Sequence, residues 1–94
     1  MYSEGISIDE ATLLFNKNLQ VGDSGQYIKT LNYLTNVISY FDSSIPFLNL
    51  SEDTFNDDTK QVVVAIQNKY GLDSDGIVDS ETWIVIKEVY RQTI

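Results

Sequence analysis

Carboxylates are the side chains with which this chain could most readily do chemistry. It has 14 Asp and Glu residues but no His and no Cys. It therefore has no thiol nucleophile, no histidine general base and neither of the two commonest zinc ligands. A pair of carboxylates acting as acid and base is the chemistry that remains, and no spacing in the sequence singles out such a pair. We therefore predict that the chain is not an enzyme.

A calcium-binding loop is the second interpretation that the carboxylates suggest. The stretch Asp73–Asp79 combines aspartates with Gly76. A calcium loop that placed Gly76 at its glycine position would begin at Gly71 and end at Thr82. Neither end residue is a carboxylate, although such a loop needs carboxylate ligands at its ends. We interpret the stretch as a turn followed by a helix cap, and we expect no metal and no cofactor.

The charge balance narrows the range of partners. Six Lys and Arg residues against 14 Asp and Glu residues give a formal net charge of −8. Nucleic acid and anionic lipid are bound through basic groups, so neither nucleic acid nor a membrane is an expected partner. The residues after Met1 lack the positive start and apolar core of a secretory signal peptide, and no apolar run is long enough for a membrane helix.

Amphipathic patterns with capping residues predict an all-α fold. The main helices are expected near residues 24–40, 57–70 and 80–91. In the first helix, apolar residues recur at steps of three or four as far as Phe41, and Asp23 or Ser24 is the expected cap. A capping box at Ser7–Glu10 predicts a short extra N-terminal helix. The expected core consists of Ile28, Leu31, Leu34, Ile38, Phe55, Val62, Ile66, Val78, Trp83 and Ile86.

The last two predicted helices are preceded by similar sequences. Residues 52–59 align without gaps to residues 75–82. In each copy, an acidic turn leads to one apolar residue, then to Asn or Asp, and to Thr three residues later. We interpret this repeat as a tight turn, an apolar side chain that enters the core and a cap that starts a helix.

Several motifs in a fixed order carry a family resemblance. They are Leu19-Gln20-Val21-Gly22-Asp23-Ser24-Gly25, Phe55-Asn56-Asp57-Asp58-Thr59, Val63-Val64-Ala65-Ile66-Gln67, Gly71-Leu72 and Asp75-Gly76-Ile77-Val78-Asp79-Ser80-Glu81-Thr82-Trp83. This series resembles the three-helix peptidoglycan-binding domain found at the ends of many cell-wall hydrolases. The resemblance covers residues 19 to 90, most of the chain.

The resemblance implies a compact three-helix bundle over residues 19–94, with residues 1–18 as an N-terminal extension. It implies a non-catalytic module that binds bacterial peptidoglycan and holds an associated activity at the cell wall. The alternative is a structural or protein–protein interaction subunit of a phage tail, lysis system or related particle, which keeps the fold without binding sugar. Its partner would then be a cell-wall hydrolase or a particle protein. Without an export signal, the chain is expected in the cytoplasm until its release, or in a phage-like particle.

The expected ligand site lies outside the helix faces, because the core uses those faces. The long connection Ser39–Thr54 concentrates aromatic residues, and the Leu72–Gly76 turn supplies polar groups. Apolar rings beside a few hydrogen-bonding groups are typical of a binding site. The candidate residues are Tyr40, Phe47, Tyr70 and Trp83 as aromatic contacts, with Asn36 and Asp75 as polar neighbours.

Some of these residues also have structural interpretations. Trp83 has helical spacing with Ile86 and Tyr90, which favours a core position over stacking on a sugar. Gln67 is expected to satisfy backbone groups of the adjacent turns, because buried amides are hydrogen-bonded. Core and surface positions are about equally compatible with the sequence for Tyr33, Tyr40, Phe47 and Tyr70.

Overall fold

The computed structural model describes residues 18–48 and 50–93, and these residues form three helices. The helices are α1 (Gln26–Phe41), α2 (Asp57–Lys69) and α3 (Ser80–Thr93). The predicted all-α three-helix fold is confirmed, and every helix end lies within two residues of its predicted position. The predicted N-terminal helix and most of the predicted N-terminal extension lie outside the described residues.

Backbone pairing, and not a side-chain cap, determines where α1 begins. Ser24 lies in an antiparallel bridge, and the backbone N–H of Gly25 donates to the carbonyl of Asp53 at 2.9 Å. Gly25 is the N-cap residue, with a φ of 117° that favours glycine and with no side-chain cap hydrogen bond. The prediction that Asp23 or Ser24 caps this helix was therefore wrong. The Asp23 carboxylate instead accepts a hydrogen bond from the backbone N–H of Gln20 at 2.9 Å.

The core lies where α1 packs against α3 and, over a smaller area, against α2. All of the predicted core residues are buried, with at most 3% of each exposed. The structure adds further buried apolar residues, namely Leu19, Ile45, Val63 and Val89. Leu19 and Ile45 lie outside the helices, so helical periodicity provided no signal for them.

The two repeated segments place their plug and cap residues in the same way. The Asn56 side chain accepts a hydrogen bond from the backbone N–H of Thr59 at 3.0 Å, and the Asp79 carboxylate accepts one from the backbone N–H of Thr82 at 2.8 Å. The apolar residue just before each cap is fully buried. The segment that precedes α1 contacts both turns through isolated antiparallel bridges. The turn–plug–cap interpretation of the repeat is therefore confirmed.

The connection between α1 and α2 folds back on the helices, as its apolar composition predicts. Ile45 is buried, and Leu48 and Leu50 are partly buried against the core. The Asn32 side-chain amide donates a hydrogen bond to the carbonyl of Ser51. These contacts hold the connection along one side of α1.

Candidate functional site

Three aromatic rings form an exposed group where α1 ends and the connection begins. Tyr40 is 71% exposed, Phe41 65% and Phe47 60%. The ring centroids of Tyr40 and Phe41 are 5.0 Å apart, and those of Tyr40 and Phe47 are 6.5 Å apart, with ring planes inclined by 83° and 72°. We call these residues the aromatic surface. Tyr40 and Phe47, which the sequence predicts as ligand contacts, are thus brought together.

Phe41 is a member of this surface that the sequence analysis missed. The helical period places Phe41 on the apolar side of α1, the same side as the buried Ile38. However, α1 ends at Phe41, and its C-cap residue Asp42 has an extended backbone. The apolar period therefore continues beyond the last turn that the core can cover. The position of Phe41 at the predicted end of the helix could have indicated from the sequence that its side chain is exposed.

A tight turn after α1 holds the position of this surface. The Asp42 carboxylate accepts hydrogen bonds from the backbone N–H of Ser44 at 3.0 Å and from its hydroxyl at 2.7 Å. The backbone N–H of Ile45 donates to the carbonyl of Asp42 at 3.0 Å, and the Ile45 side chain is buried. Because Ile45 is anchored in the core, the path of the chain to Phe47 is constrained.

A cation from α2 completes this turn. The Lys69 ammonium forms an ion pair with the Asp42 carboxylate and donates to the Ser44 hydroxyl at 3.1 Å. The hydrogen bond from Lys69, followed by those from the Ser44 side chain and backbone, lowers the pKa of Asp42 from 3.8 to about 2. The same hydrogen bond raises the pKa of Lys69. At neutral pH the pair is fully charged, and Lys69 is neutralised by its partner.

Two asparagines lie on the turns of α1 that precede Tyr40. Asn32, Asn36 and Tyr40 are spaced four residues apart and therefore share one side of the helix. Within the described ranges, the Oδ1 atoms of both Asn32 and Asn36 are buried and have no hydrogen-bond donor. Asn32 is 3% exposed, whereas the side chain of Asn36 is partly exposed. Asn36, a predicted polar contact, therefore lies one helical turn from the aromatic surface.

Tyr70 is joined to this region only indirectly. It is 40% exposed and lies just after α2. The Lys69 ammonium is 5.8 Å from the centroid of its ring, a distance at which a cation interacts with an aromatic face. Lys69 thus lies between Tyr70 and the Asp42 turn. Tyr70 stays a predicted ligand contact at the margin of the aromatic surface.

Asp75 belongs to a different part of the molecule, the turn between α2 and α3. Its carboxylate accepts hydrogen bonds from the backbone N–H of Ile77 at 3.0 Å and from the Gln67 side chain at 3.3 Å. Gln67 is 1% exposed, donates to the carbonyl of Ile77 at 3.0 Å and accepts from the backbone N–H of Gly76 at 3.0 Å. The predicted structural role of Gln67 is confirmed. The contacts of Asp75 are those of a turn residue and do not reach the aromatic surface.

Trp83 is a core residue and requires a correction of its candidate role. Only 1% of the residue is exposed, so no face of its ring is accessible to a sugar. Its position in the first turn of α3 directs the side chain between the helices, together with Ile86. The core interpretation of Trp83 is confirmed, and its selection as an aromatic ligand contact was wrong.

A polar pocket lies at the start of α3. It has a volume of about 170 Å³ and is lined by Gly71, Leu72, Asp73, Asp79, Glu81 and Thr82. The Asp79 carboxylate is engaged in capping α3. Across residues 18–48 and 50–93, no group of three His, Cys, Asp or Glu side chains is arranged to hold a metal ion. The aromatic surface is therefore the stronger candidate for a ligand site.

Comparison with known proteins assigns the chain to a protein family. A family model described as "Putative peptidoglycan binding domain" matches residues 24–86, which is more than half of the chain. The chain therefore belongs to this family of small helical domains. Its relation to the bacterial cell wall follows at the level of the family, and the predicted resemblance is confirmed.

Comparisons with curated proteins and with solved structures found no similar protein. Among the helices of the described residues, none is both long enough and apolar enough to cross a lipid bilayer.

Proposed function

We propose that this protein is a non-catalytic module that binds peptidoglycan through its aromatic surface and thereby holds an associated activity at the cell wall. The observation that carries the proposal is the group of Tyr40, Phe41 and Phe47, in which the Tyr40 ring contacts each of the other two and every residue is at least 60% exposed. The family supplies the class of ligand, and the aromatic surface supplies the place where it would bind.

Exposed rings in contact with one another are suited to a carbohydrate ligand. A contiguous apolar patch on a small protein commonly marks a binding site. Sugar rings have apolar C–H faces, which pack on aromatic rings while their hydroxyl groups stay in water. Single exposed rings are common on protein surfaces, but here the ring centroids of Phe41 and Phe47 lie 5.0 and 6.5 Å from that of Tyr40.

The charge of the protein favours binding through specific contacts over non-specific electrostatic attraction. The formal net charge is −8, so anionic wall polymers would repel the chain. Lys69, the cation next to the aromatic surface, is paired with Asp42. Retention by cell walls would therefore report specific contacts. A single shallow site gives modest affinity, which attachment to a multivalent wall increases.

Sedimentation with purified insoluble peptidoglycan tests the proposal. The parent should sediment with the walls, and a Tyr40→Ala/Phe47→Ala variant should bind them about thirtyfold more weakly, since two ring contacts of about 1 kcal/mol each are lost. Tyr33→Ala is the matched control, because Tyr33 lies on the same helix, is 58% exposed and contacts Tyr90 instead. Circular dichroism should show that all variants keep their helices.

Two outcomes would contradict the proposal. If the double variant is folded and sediments like the parent, the aromatic surface is not the binding site. If the parent is not retained by walls of any chemotype, the protein is better explained as a structural or protein–protein interaction subunit of a phage-like particle or lysis system.

A further inference from the structure

One side of α1 and the connection run alongside each other in opposite directions. At one end, the Asn32 amide donates to the carbonyl of Ser51. At the other end, the ring of Tyr40 contacts the ring of Phe47. Asn36 lies on α1 midway between these two contacts, because it is one helical turn from each. Asn36 therefore lies on the side of α1 that faces the connection, one helical turn from Tyr40 of the aromatic surface.

The acceptor atom of Asn36 has no partner within the described residues. Its Oδ1 atom is buried but receives no hydrogen bond. A buried acceptor without a donor destabilises a protein, so such atoms are rare and need an explanation. A ligand that brings an N–H group would satisfy this acceptor. Asn36 as a whole is partly exposed, so rotation of its side chain can bring the amide to the surface, and this rotation breaks no hydrogen bond at Oδ1.

The nearby charges favour an uncharged group of the ligand. Peptidoglycan offers N–H groups in the acetamido groups of its glycan strands and in its stem peptides, which carry amide, carboxylate and ammonium groups. A stem peptide would need a cation for its carboxylates. Lys69 and Asp42 are paired with each other, so neither is free to bind a carboxylate or an ammonium group of a stem peptide. The glycan strand therefore fits this region better than the peptide does.

We propose that Asn36 and the aromatic surface together bind an N-acetylated amino sugar of the glycan strand. The acetamido N–H donates to Oδ1 of Asn36, and the apolar face of the sugar packs against Tyr40 or Phe47. Because the centroids of these two rings are 6.5 Å apart, a sugar packed against either ring also lies beside the other. This inference rests on the proposed function and adds the part of the wall polymer that is recognised.

Competition for wall binding tests this inference with three soluble probes. The first is a β-1,4-linked trimer of N-acetylglucosamine, the second is the corresponding trimer of glucose, and the third is a synthetic stem peptide. The two sugar trimers share a backbone and differ only in the acetamido groups. The acetylated trimer should displace the parent protein from sedimented walls, whereas the glucose trimer and the peptide should not.

Variants at Asn36 provide the second measurement. Asn36→Ala should weaken binding of the acetylated trimer about threefold to tenfold, the effect of losing one hydrogen bond. Asn36→Asp keeps an acceptor oxygen at the same position and should bind the trimer more tightly than Asn36→Ala does. The thermal midpoint of each Asn36 variant shows whether that variant is folded. If a variant does not fold, the competition experiment on the parent protein still tests the inference.

The outcomes separate the two proposals. If walls retain the parent and only the stem peptide displaces it, the assignment to the glycan is wrong and wall binding stands. If both sugar trimers displace it equally, the role of the acetamido group and of Asn36 is wrong. If no wall retains the parent, both proposals are overturned.

Discussion

Leu19 and Val78 exchange two backbone hydrogen bonds, with N–O distances of 2.9 and 2.8 Å. This pairing fastens the segment before α1 to the turn before α3. A second pairing does the same for the turn before α2, where the backbone N–H of Phe55 donates to the carbonyl of Asp23 at 2.9 Å. Both apolar residues that precede the helix caps are thus held by backbone hydrogen bonds as well as by burial. The same framework positions α1, and with it the aromatic surface at its end.

Ile66→Ala should strongly destabilise the protein. Ile66 is completely buried in the core, so truncation should lower the free energy of unfolding by about 2–5 kcal/mol. Ile84→Ala is the matched control, because Ile84 is 48% exposed on α3 and its truncation should change the free energy by less than about 0.5 kcal/mol. Urea unfolding followed by circular dichroism measures both. Equal losses in the two variants would refute the assigned burial.

The two helix caps should have similar energetic value. Asn56→Ala and Asp79→Ala each remove the acceptor of one backbone N–H in the first turn, so each should cost about 1 kcal/mol. Ser80→Ala, at the exposed residue just after the second cap, is a control that should have little effect. Thermal unfolding of all three variants measures this. A negligible loss in either variant would contradict the assigned role of that side chain as a helix cap.

Replacement of Gly76 should be more damaging than replacement of Gly71. Both glycines have left-handed backbones, with φ of 75° and 77°, so alanine at either position should cost about 1–2 kcal/mol. A Cβ atom at Gly76 would also lie 2.7 Å from Cγ and Cε of Lys60, whereas the space at Gly71 is open. Gly76→Ala should therefore have the lower melting midpoint. Adding Lys60→Ala should restore only the steric part of the loss, and a full restoration would contradict the assigned backbone strain.

The ion pair of Asp42 should make stability depend on pH in the acidic range. The pKa of Asp42 is about 2 in the folded protein and 3.8 in the absence of its partners. Its stabilising effect is therefore complete above about pH 5 and is lost as the pH falls through the folded value. The melting midpoint of the parent should exceed that of Asp42→Asn at pH 7, and most of the difference should be lost by pH 2, where half of the Asp42 carboxylates are protonated in the folded protein.

Lys69→Met is the control for this pH effect, because it removes the largest cause of the lowered pKa and leaves the Ser44 hydrogen bonds. In a Lys69→Met background, the change in melting midpoint that Asp42→Asn produces should depend less on pH. If the change in the parent background is the same from pH 7 to pH 2, the ion pair does not stabilise the fold.

The fold could be predicted from the sequence because its signals are local. The caps at Asn56 and Asp79 lie within four residues of the groups that they satisfy, and helical periodicity identified buried residues such as Ile66 and Trp83. The start of α1 was predicted less well, because it depends on pairing between Gly25 and Asp53, which are distant in sequence.

The candidate site was predicted only in part, for the same reason. Tyr40 and Phe47 could be proposed from the aromatic composition of the connection. The ion pair between Asp42 and Lys69 joins residues 27 positions apart, and no local pattern indicates it. The unpartnered acceptor of Asn36 is likewise a property of the packed structure, since any asparagine in a sequence could be satisfied by a neighbour.

The ion pair and hydrogen bond that join Lys69 to the Asp42 turn have a consequence for the thermodynamics of wall binding. Because the turn is fixed before any ligand arrives, the rings should lose little conformational entropy on binding. The substitution Lys69→Met would remove the ion pair and keep all three aromatic residues. The turn would then be less fixed before binding, and the entropic cost of binding would increase. We therefore expect such a variant to bind walls more weakly through a less favourable binding entropy, with a nearly unchanged binding enthalpy.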